Sequence, residues 1–93
     1  MKYPGQVQMK IYRTERFKKQ YKKLPQYIKK AAKKQLGLLL SDPNHPSLNI
    51  KKMKDPRDIW EGRITQSYRF TFQIKEDAYI LRNIGTHDIL EKP

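Results

Sequence analysis

The chain has 93 residues, which suffice for one small domain, so residues 1–93 are expected to form a single folded unit. It contains no cysteine and no apolar run of the roughly 18 residues that a membrane span needs, which excludes thiol chemistry and predicts a cytoplasmic protein without a membrane partner. The formal net charge is +12, and residues 1–54 carry 15 Lys/Arg against two acidic residues, a distribution typical of proteins that bind a polyanion.

The first predicted elements are a strand and a short helix. Residues 7–14 alternate apolar and polar side chains from Val7 onward, which is the period of a half-buried strand. Thr14 is the expected N-cap of the helix, which ends at Pro25 and has apolar side chains at positions 17, 21 and 24.

A second helix is predicted from Pro25 to the Asp42-Pro43 step, because proline is tolerated at a helix start and Asp-Pro ends one. Its apolar stripe contains Ile28 and Ala32, and lysines occupy most of the opposite side. Residues 42–56 carry three prolines and the sequence KKMK without a sustained period, which predicts a cation-rich surface loop.

Three strands are predicted at residues 58–64, 67–75 and 78–85, and the two-residue turns Thr65-Gln66 and Glu76-Asp77 separate them. They are expected to form an antiparallel meander. In the middle strand, the even positions 68–74 are apolar and face the helices, whereas the odd positions face outward and leave that face of the sheet available.

The element order is therefore β-α-α-β-β-β, which predicts an α+β fold with a helical hairpin packed on a small, mainly antiparallel sheet. No internal repeat or long linker divides the chain.

This order, the run HPSLNIKKMKDPRDIWEGRITQSYRFTFQI and the closing ILRNIGTHDIL resemble the RelE/ParE superfamily of toxins from bacterial and archaeal toxin–antitoxin systems. The resemblance covers nearly the whole chain, and its most specific parts are the segments WEGR, YR and GTHD. It implies a toxin that an acidic cognate antitoxin silences. RelE-like members cleave mRNA in the ribosomal A site, whereas ParE-like members share the fold and inhibit DNA gyrase; a non-catalytic RNA-binding module is a further alternative.

Metal-independent cleavage by 2′-OH attack needs a base, an acid and cations around the phosphate, and Arg, Lys and His supply all three. Arg69 lies on the outward face of the middle strand and matches the phosphate-binding arginine of the RelE-like branch, which the resemblance implies is catalytic. His87 follows the last strand and is a candidate for proton transfer. Asp88 either orients His87 or begins the terminal turn.

The lysines of the loop and helices are candidates for phosphate contacts. By resemblance, Lys52 and Lys54 are catalytic candidates that stabilise phosphate charge; the alternative is a solvated loop. The predicted RNA- and ribosome-binding residues are Lys18, Lys19, Lys22, Lys23, Lys29, Lys30, Lys33, Lys34, Lys51 and Arg63.

Three other side chains have competing interpretations. Glu61 pairs with Arg63 on the same strand face or acts as a general base. Trp60 packs in the core or stacks on a base. His45 is a loop residue or a second proton-transfer group. No phosphate-binding glycine loop or metal-ligand spacing is present in the sequence, so no metal and no small-molecule cofactor is expected.

Overall fold

A computed structural model describes residues 8–93 of the chain. It contains one five-stranded sheet in the order β1-β5-β4-β3-β2, with two α-helices packed against one face. The strands are β1 (Lys10–Arg13), β2 (Lys51–Lys52), β3 (Trp60–Arg63), β4 (Tyr68–Lys75) and β5 (Ala78–Thr86), and the helices are α1 (Glu15–Lys22) and α2 (Gln26–Ser41). The predicted α+β fold is confirmed. Val7, the first residue of the predicted first strand, lies outside the described residues.

The two helices begin where the sequence predicts. The Thr14 hydroxyl accepts a hydrogen bond from the Phe17 backbone N–H at 3.2 Å, which satisfies one of the free donors of the first turn of α1. Pro25 occupies the position immediately before α2, with an extended backbone. Phe17 from α1 and Ile28, Ala32 and Leu39 from α2 are fully or almost fully buried, so each helix presents its apolar stripe to the sheet.

The sheet is antiparallel except at one edge. β1 pairs with β5 in parallel, whereas β5–β4, β4–β3 and β3–β2 are antiparallel. The predicted loop at 42–56 is wrong in part, because it contains a 3₁₀ helix (Pro46–Leu48) and the two-residue strand β2. An element of two or three residues is too short to show a hydrophobic period, which is why the sequence pattern missed both.

Side-chain alternation gives the sheet an inner face toward the helices and an outer face. On the inner face Phe70, Phe72, Leu81 and Ile84 are at most 2% exposed and join the helix residues in one core. The β4–β5 register shifts between Thr71 and Phe72, so that one extra residue of β5 forms a bulge at this point.

The outer face is not fully available, contrary to the sequence expectation. The chain turns after β5 into a second 3₁₀ helix (His87–Leu90), and its final residue lies against the sheet. The Pro93 carbonyl oxygen accepts hydrogen bonds from the Thr71 hydroxyl at 3.1 Å and the Asn83 amide at 2.6 Å. Thr71 and Asn83 are therefore buried polar residues with satisfied hydrogen bonds.

α1 covers the edge of β5 beyond the point where β1 ends. β1 pairs with β5 only as far as Leu81, so the backbone of Ile84 has no strand partner on that side. The Gln20 side chain accepts a hydrogen bond from the Ile84 N–H at 2.9 Å and donates one to the Asn83 amide oxygen at 3.0 Å. Gln20 thus covers an otherwise open strand edge and fixes α1 against β5.

Candidate phosphate-binding site

Two arginines lie directly opposite each other on the outer face of the sheet. The β3–β4 register pairs Arg63 with Arg69, and residues paired in this way have side chains on the same face with Cβ atoms about 5 Å apart. Like charges at such a position destabilise a sheet unless an anion compensates them. The register therefore places two positive charges side by side on the outer face.

Arg69 is held in place by backbone carbonyl groups of the β3–β4 turn. Its Nη1 donates to the carbonyl oxygens of Thr65, of Gln66 at 3.0 Å and of Tyr68 at 3.1 Å. Burial lowers the pKa of Arg69 from its ordinary value, and the positive charge of Arg63 lowers it further. Both effects disfavour the charged form of the guanidinium, which an anion on the outer face would stabilise.

Arg63 carries a hydrogen-bond donor that the described part of the chain leaves unused. Its Nε is buried and has no hydrogen-bond partner within residues 8–93. The strand around it is fixed, since the Arg63 carbonyl oxygen accepts a hydrogen bond from the buried Gln35 side chain at 3.0 Å. A buried donor without a partner costs about 1–3 kcal/mol, and this cost is removed when an oxyanion accepts the hydrogen bond.

Lys51 and Glu61 form the neighbouring row of the outer face. The register pairs Lys51 with Glu61, and Glu61 with Thr71. The predicted Glu61–Arg63 ion pair is not among the ion pairs of residues 8–93, so that interpretation is wrong. Glu61 instead stands close enough to Arg69 to oppose the lowering of its pKa. Lys51 is the loop lysine that shares a face with the two arginines.

The structure does not place Lys52 beside Arg69. Lys52 pairs with Trp60 in the register, which puts it on the inner side of β2, and its ammonium group lies 5.9 Å from the centre of the Trp60 ring. It also forms an ion pair of 3.1 Å with Asp58. Lys54 is exposed after β2. Trp60 packs against the core, in agreement with the packing interpretation.

His87 lies near the arginine pair in the fold but does not contact it. It is exposed at the first position of the 3₁₀ helix His87–Leu90, and Arg69 pairs with Gly85, two residues before it. Within residues 8–93 no hydrogen bond joins His87 to Arg69 or Asp88. Contacts for proton transfer can form only when the substrate is bound, so the absence of a contact between His87 and Arg69 is compatible with a role of His87 in proton transfer.

His45 has a structural role in the loop. Its Nδ1 accepts a hydrogen bond from the Ser47 backbone N–H at 3.1 Å and lies 2.8 Å from the Ser47 hydroxyl. His45 therefore caps the 3₁₀ helix Pro46–Leu48, which is the loop-residue interpretation rather than a second catalytic histidine.

The helical lysines form a separate surface. The lysines of α2 lie on the helix that covers the inner face, and Arg63 and Arg69 lie on the outer face. Lys18 pairs with Glu15 at 3.2 Å, and Lys29 is half-buried beside the Tyr21 ring. The remaining lysines of the predicted binding set on the two helices are exposed: Lys19, Lys22, Lys23, Lys30, Lys33 and Lys34.

Two further observations concern metal sites and membrane-spanning helices. Among the described residues, no group of three or more His, Asp or Glu side chains is arranged to hold a metal ion. No helix within residues 8–93 combines the length and the apolar character required to cross a membrane.

No protein-family model and no curated protein matches the chain. Solved structures share its fold. A metal-bound toxin from Helicobacter pylori is 23% identical with a TM-score of 0.72, over 88% of this chain and 98% of that chain. The RelB-RelE antitoxin-toxin complex from Methanococcus jannaschii gives 21% identity and a TM-score of 0.70, over 87% and 95%. YafQ from E. coli strain BL21(DE3) gives 14% identity and a TM-score of 0.69, over 89% and 98%. The chain therefore has the fold of the RelE-like toxins.

Proposed function

We propose that this chain, whose fold is that of the RelE-like toxins, is the toxin of a toxin–antitoxin system and acts as a ribosome-dependent endoribonuclease. The observation that carries the proposal is the Arg63–Arg69 pair, which the strand register places side by side on the outer face. In a small basic protein of this fold, such a pair is suited to hold the phosphate at which RNA is cut.

In the proposed reaction, a ribose 2′-OH in the A site loses its proton as it attacks the adjacent phosphorus, and the P–O5′ bond breaks. The leaving 5′-oxygen takes up a proton, so the products are a 2′,3′-cyclic phosphate and a 5′-hydroxyl. Arg69 and Arg63 bind the non-bridging phosphate oxygens and stabilise the charge that develops on them. His87 exchanges a proton with the 2′-oxygen or the leaving oxygen. Lys51 adds charge on the same face, and the exposed Lys54 contacts a neighbouring phosphate from the loop. These groups are sufficient without a metal ion or cofactor.

The proposed partners are the ribosome with its mRNA and an acidic antitoxin. The exposed lysines of α1 and α2 suit ribosomal RNA phosphates, since they give affinity without sequence preference. The solved complex from Methanococcus jannaschii pairs a RelE with a RelB antitoxin, which supports a protein partner of this kind here. The acidic side chains of the antitoxin would face the lysines of α1 and α2 and the arginine pair.

The test is cleavage in a programmed translation extract, with message ends mapped by primer extension. We expect cuts within codons that require ribosomes, and a fall of at least about 100-fold for Arg69→Ala and His87→Ala, the range for lost charge stabilisation or proton transfer. Lys75→Ala, a charge removed from the exposed end of β4, is the matched control. Thermal unfolding of each variant verifies that the fold is intact.

Two results contradict the proposal. Full cleavage by both Arg69→Ala and His87→Ala would overturn the site. Intact message together with inhibition of gyrase supercoiling would instead establish the ParE-like alternative.

A further inference from the structure

A second group of arginines surrounds a cavity on the outer side of the sheet, away from the Arg63–Arg69 pair. The cavity has a volume of about 320 Å³ and is lined by Thr14, Arg16, Arg57, Arg82 and Asn83. These residues come from the start of α1, from the turn before β3 and from β5, and the sequence pattern gave no reason to group them. The fold alone brings the three guanidinium groups to one place.

Arg57 is oriented by Asp55. Its Nε and Nη2 donate to the two carboxylate oxygens of Asp55 at 2.9 and 2.8 Å, a bidentate geometry that fixes the plane of the guanidinium. The Arg57 backbone N–H donates to the same carboxylate at 2.8 Å. These contacts leave Nη1 of Arg57 without a protein partner within residues 8–93, so that one donor edge is available for a ligand.

Arg82 is oriented from the other side of the cavity. Its Nε donates to the Pro93 carbonyl oxygen at 3.0 Å, and its Nη1 donates to the Gln73 side-chain oxygen at 3.2 Å. The Gln73 amide donates in turn to the Arg57 carbonyl oxygen at 2.9 Å, which couples the two arginine-bearing segments. No hydrogen bond from Nη2 of Arg82 is found in the described part of the chain. The side chain is thus fixed and still has a donor free.

The side chains around the cavity carry an excess of positive charge. Three guanidinium groups face one carboxylate, Asp55, and Arg16 forms no ion pair with any described residue. Burial lowers the pKa of Arg82, and the positive charges of Arg57 and Arg16 lower it further, while Asp55 opposes this. The arrangement of fixed, unpaired donors around a cavity is that of a site for an oxyanion.

We infer that this cavity is a second phosphate site, occupied by a backbone phosphate of the RNA whose scissile phosphate lies at Arg63 and Arg69. The inference rests on the proposed function for the identity of the polymer. Arg82 is the extra residue of β5 at the bulge, which lies beside Thr71 and Phe72 of β4. This point is about three residues along β4 from Arg69, a distance of about 10 Å. One phosphate group cannot contact both arginine groups across that distance, whereas two phosphates of one polynucleotide can.

The experiment measures binding rather than cleavage, so that its failure is distinct from failure of the nuclease proposal. A fluorescent single-stranded RNA with 2′-O-methyl groups, which cannot be cut by 2′-OH attack, is titrated with the protein over a series of salt concentrations. The variant is Arg16→Gln, because Arg16 is exposed and has no ion-pair partner among residues 8–93, so that its replacement should not affect folding. The matched control is Arg13→Gln, an exposed arginine of β1 that does not line the cavity.

We expect Arg16→Gln to weaken RNA binding about tenfold, the size of one lost charge-assisted hydrogen bond, and to reduce the salt slope by about 0.7. Arg13→Gln should leave the affinity and the slope unchanged. Adding Arg57→Gln to Arg16→Gln should weaken binding further. Equal effects of Arg16→Gln and Arg13→Gln would overturn the site.

A second measurement distinguishes RNA from a small anion. Proton–nitrogen NMR spectra follow the Arg82 and Arg57 Nε–H resonances during addition of the methylated RNA and, separately, of inorganic phosphate. Shifts with RNA at concentrations where equal phosphate has no effect support the inference. Shifts with inorganic phosphate alone, and none with RNA, would overturn it in favour of a small-anion site.

Discussion

Gly62 lets β3 approach the core as closely as it does. A Cβ added at this position would stand 2.4 Å from the Cζ atom of Phe70, which lies opposite it in the register. Phe70 is completely buried and packs on Phe72, so its ring has no free space into which to move. The glycine is therefore required by packing and not by its backbone conformation.

We expect Gly62→Ala to lower the free energy of unfolding by about 1–3 kcal/mol, because the core must shift to admit one methyl group. Chemical denaturation measures the change. Gly37→Ala is the matched control: its added Cβ meets nothing within 4 Å, and alanine in place of glycine inside α2 should raise the free energy of unfolding by about 0.4–1 kcal/mol. A stable Gly62→Ala protein would show that the sheet is looser than described.

Asp55 links stability to pH. The Arg57 side chain and backbone hydrogen bonds lower the pKa of the Asp55 carboxyl from 3.8 to about 2. A carboxyl with a lowered pKa in the folded state stabilises it fully above pH 3.8, and this contribution is lost as the pH falls toward 2.

The difference in melting temperature between the wild type and Asp55→Asn should therefore be largest above pH 5 and should shrink between pH 4 and 2. Asp42→Asn, which removes an exposed carboxylate without an ion pair among the described residues, is the control. A constant difference across this pH range would mean that the Asp55–Arg57 contact does not persist in solution.

Single residues also show the limit of what the sequence reveals about the site. The sequence predicts Arg69 as a phosphate-binding residue from its outward position in the middle strand, its residue type and the resemblance to the RelE-like branch. The pairing of Arg69 with Arg63 could not be predicted, because the predicted two-residue turn Thr65-Gln66 would have paired Arg63 with Tyr68. The turn is one residue longer: Ile64 and Tyr68 close it through an N–H to carbonyl hydrogen bond of 2.9 Å. A one-residue change of register reverses which side chains share a face.

At the scale of elements, the Gln20 side chain of α1 forms two hydrogen bonds to β5. Gln20 is the residue that satisfies the buried N–H of Ile84. Gln20→Ala should lower the free energy of unfolding by about 1–3 kcal/mol, since a buried donor is left without a partner. Gln26→Ala, at the exposed start of α2, is the matched control and should change it little. Hydrogen exchange at Ile84 tests the mechanism: unchanged protection in Gln20→Ala would refute it.

The longer elements were predictable because their burial follows a period. Both helices and the strands β4 and β5 were found close to their observed bounds, since the apolar stripe of a helix and the alternation of a strand extend over eight or more residues. The parallel pairing of β1, the strand β2 and the burial of Thr71 and Asn83 depend on contacts between segments distant in the chain. Local patterns contain no information about such contacts.

At the scale of the whole molecule, basic residues occupy two opposite sides. The outer face of the sheet carries the arginine pair, and α2 carries lysines on the side away from the sheet. We therefore expect two functions to be separable. Lys30→Gln, Lys33→Gln and Lys34→Gln together should weaken sedimentation with ribosomes and make it less sensitive to salt.

The matched comparison is Arg63→Gln with Arg69→Gln, which should abolish cleavage while most ribosome association is retained. Co-sedimentation at several salt concentrations and primer extension provide the two measurements. If the lysine variant retains full affinity for ribosomes, the helical surface has no role in binding them.

The parallel pairing of β1 with β5 also determines when the molecule can be completed during its synthesis. Thr14, next to β1, is hydrogen-bonded to Leu81 of β5, 67 positions later in the chain. β1 therefore emerges from the ribosome long before its partner strand exists, and contacts of such long range form late. The five-stranded sheet that carries Arg63 and Arg69 is therefore complete only after β5 has emerged.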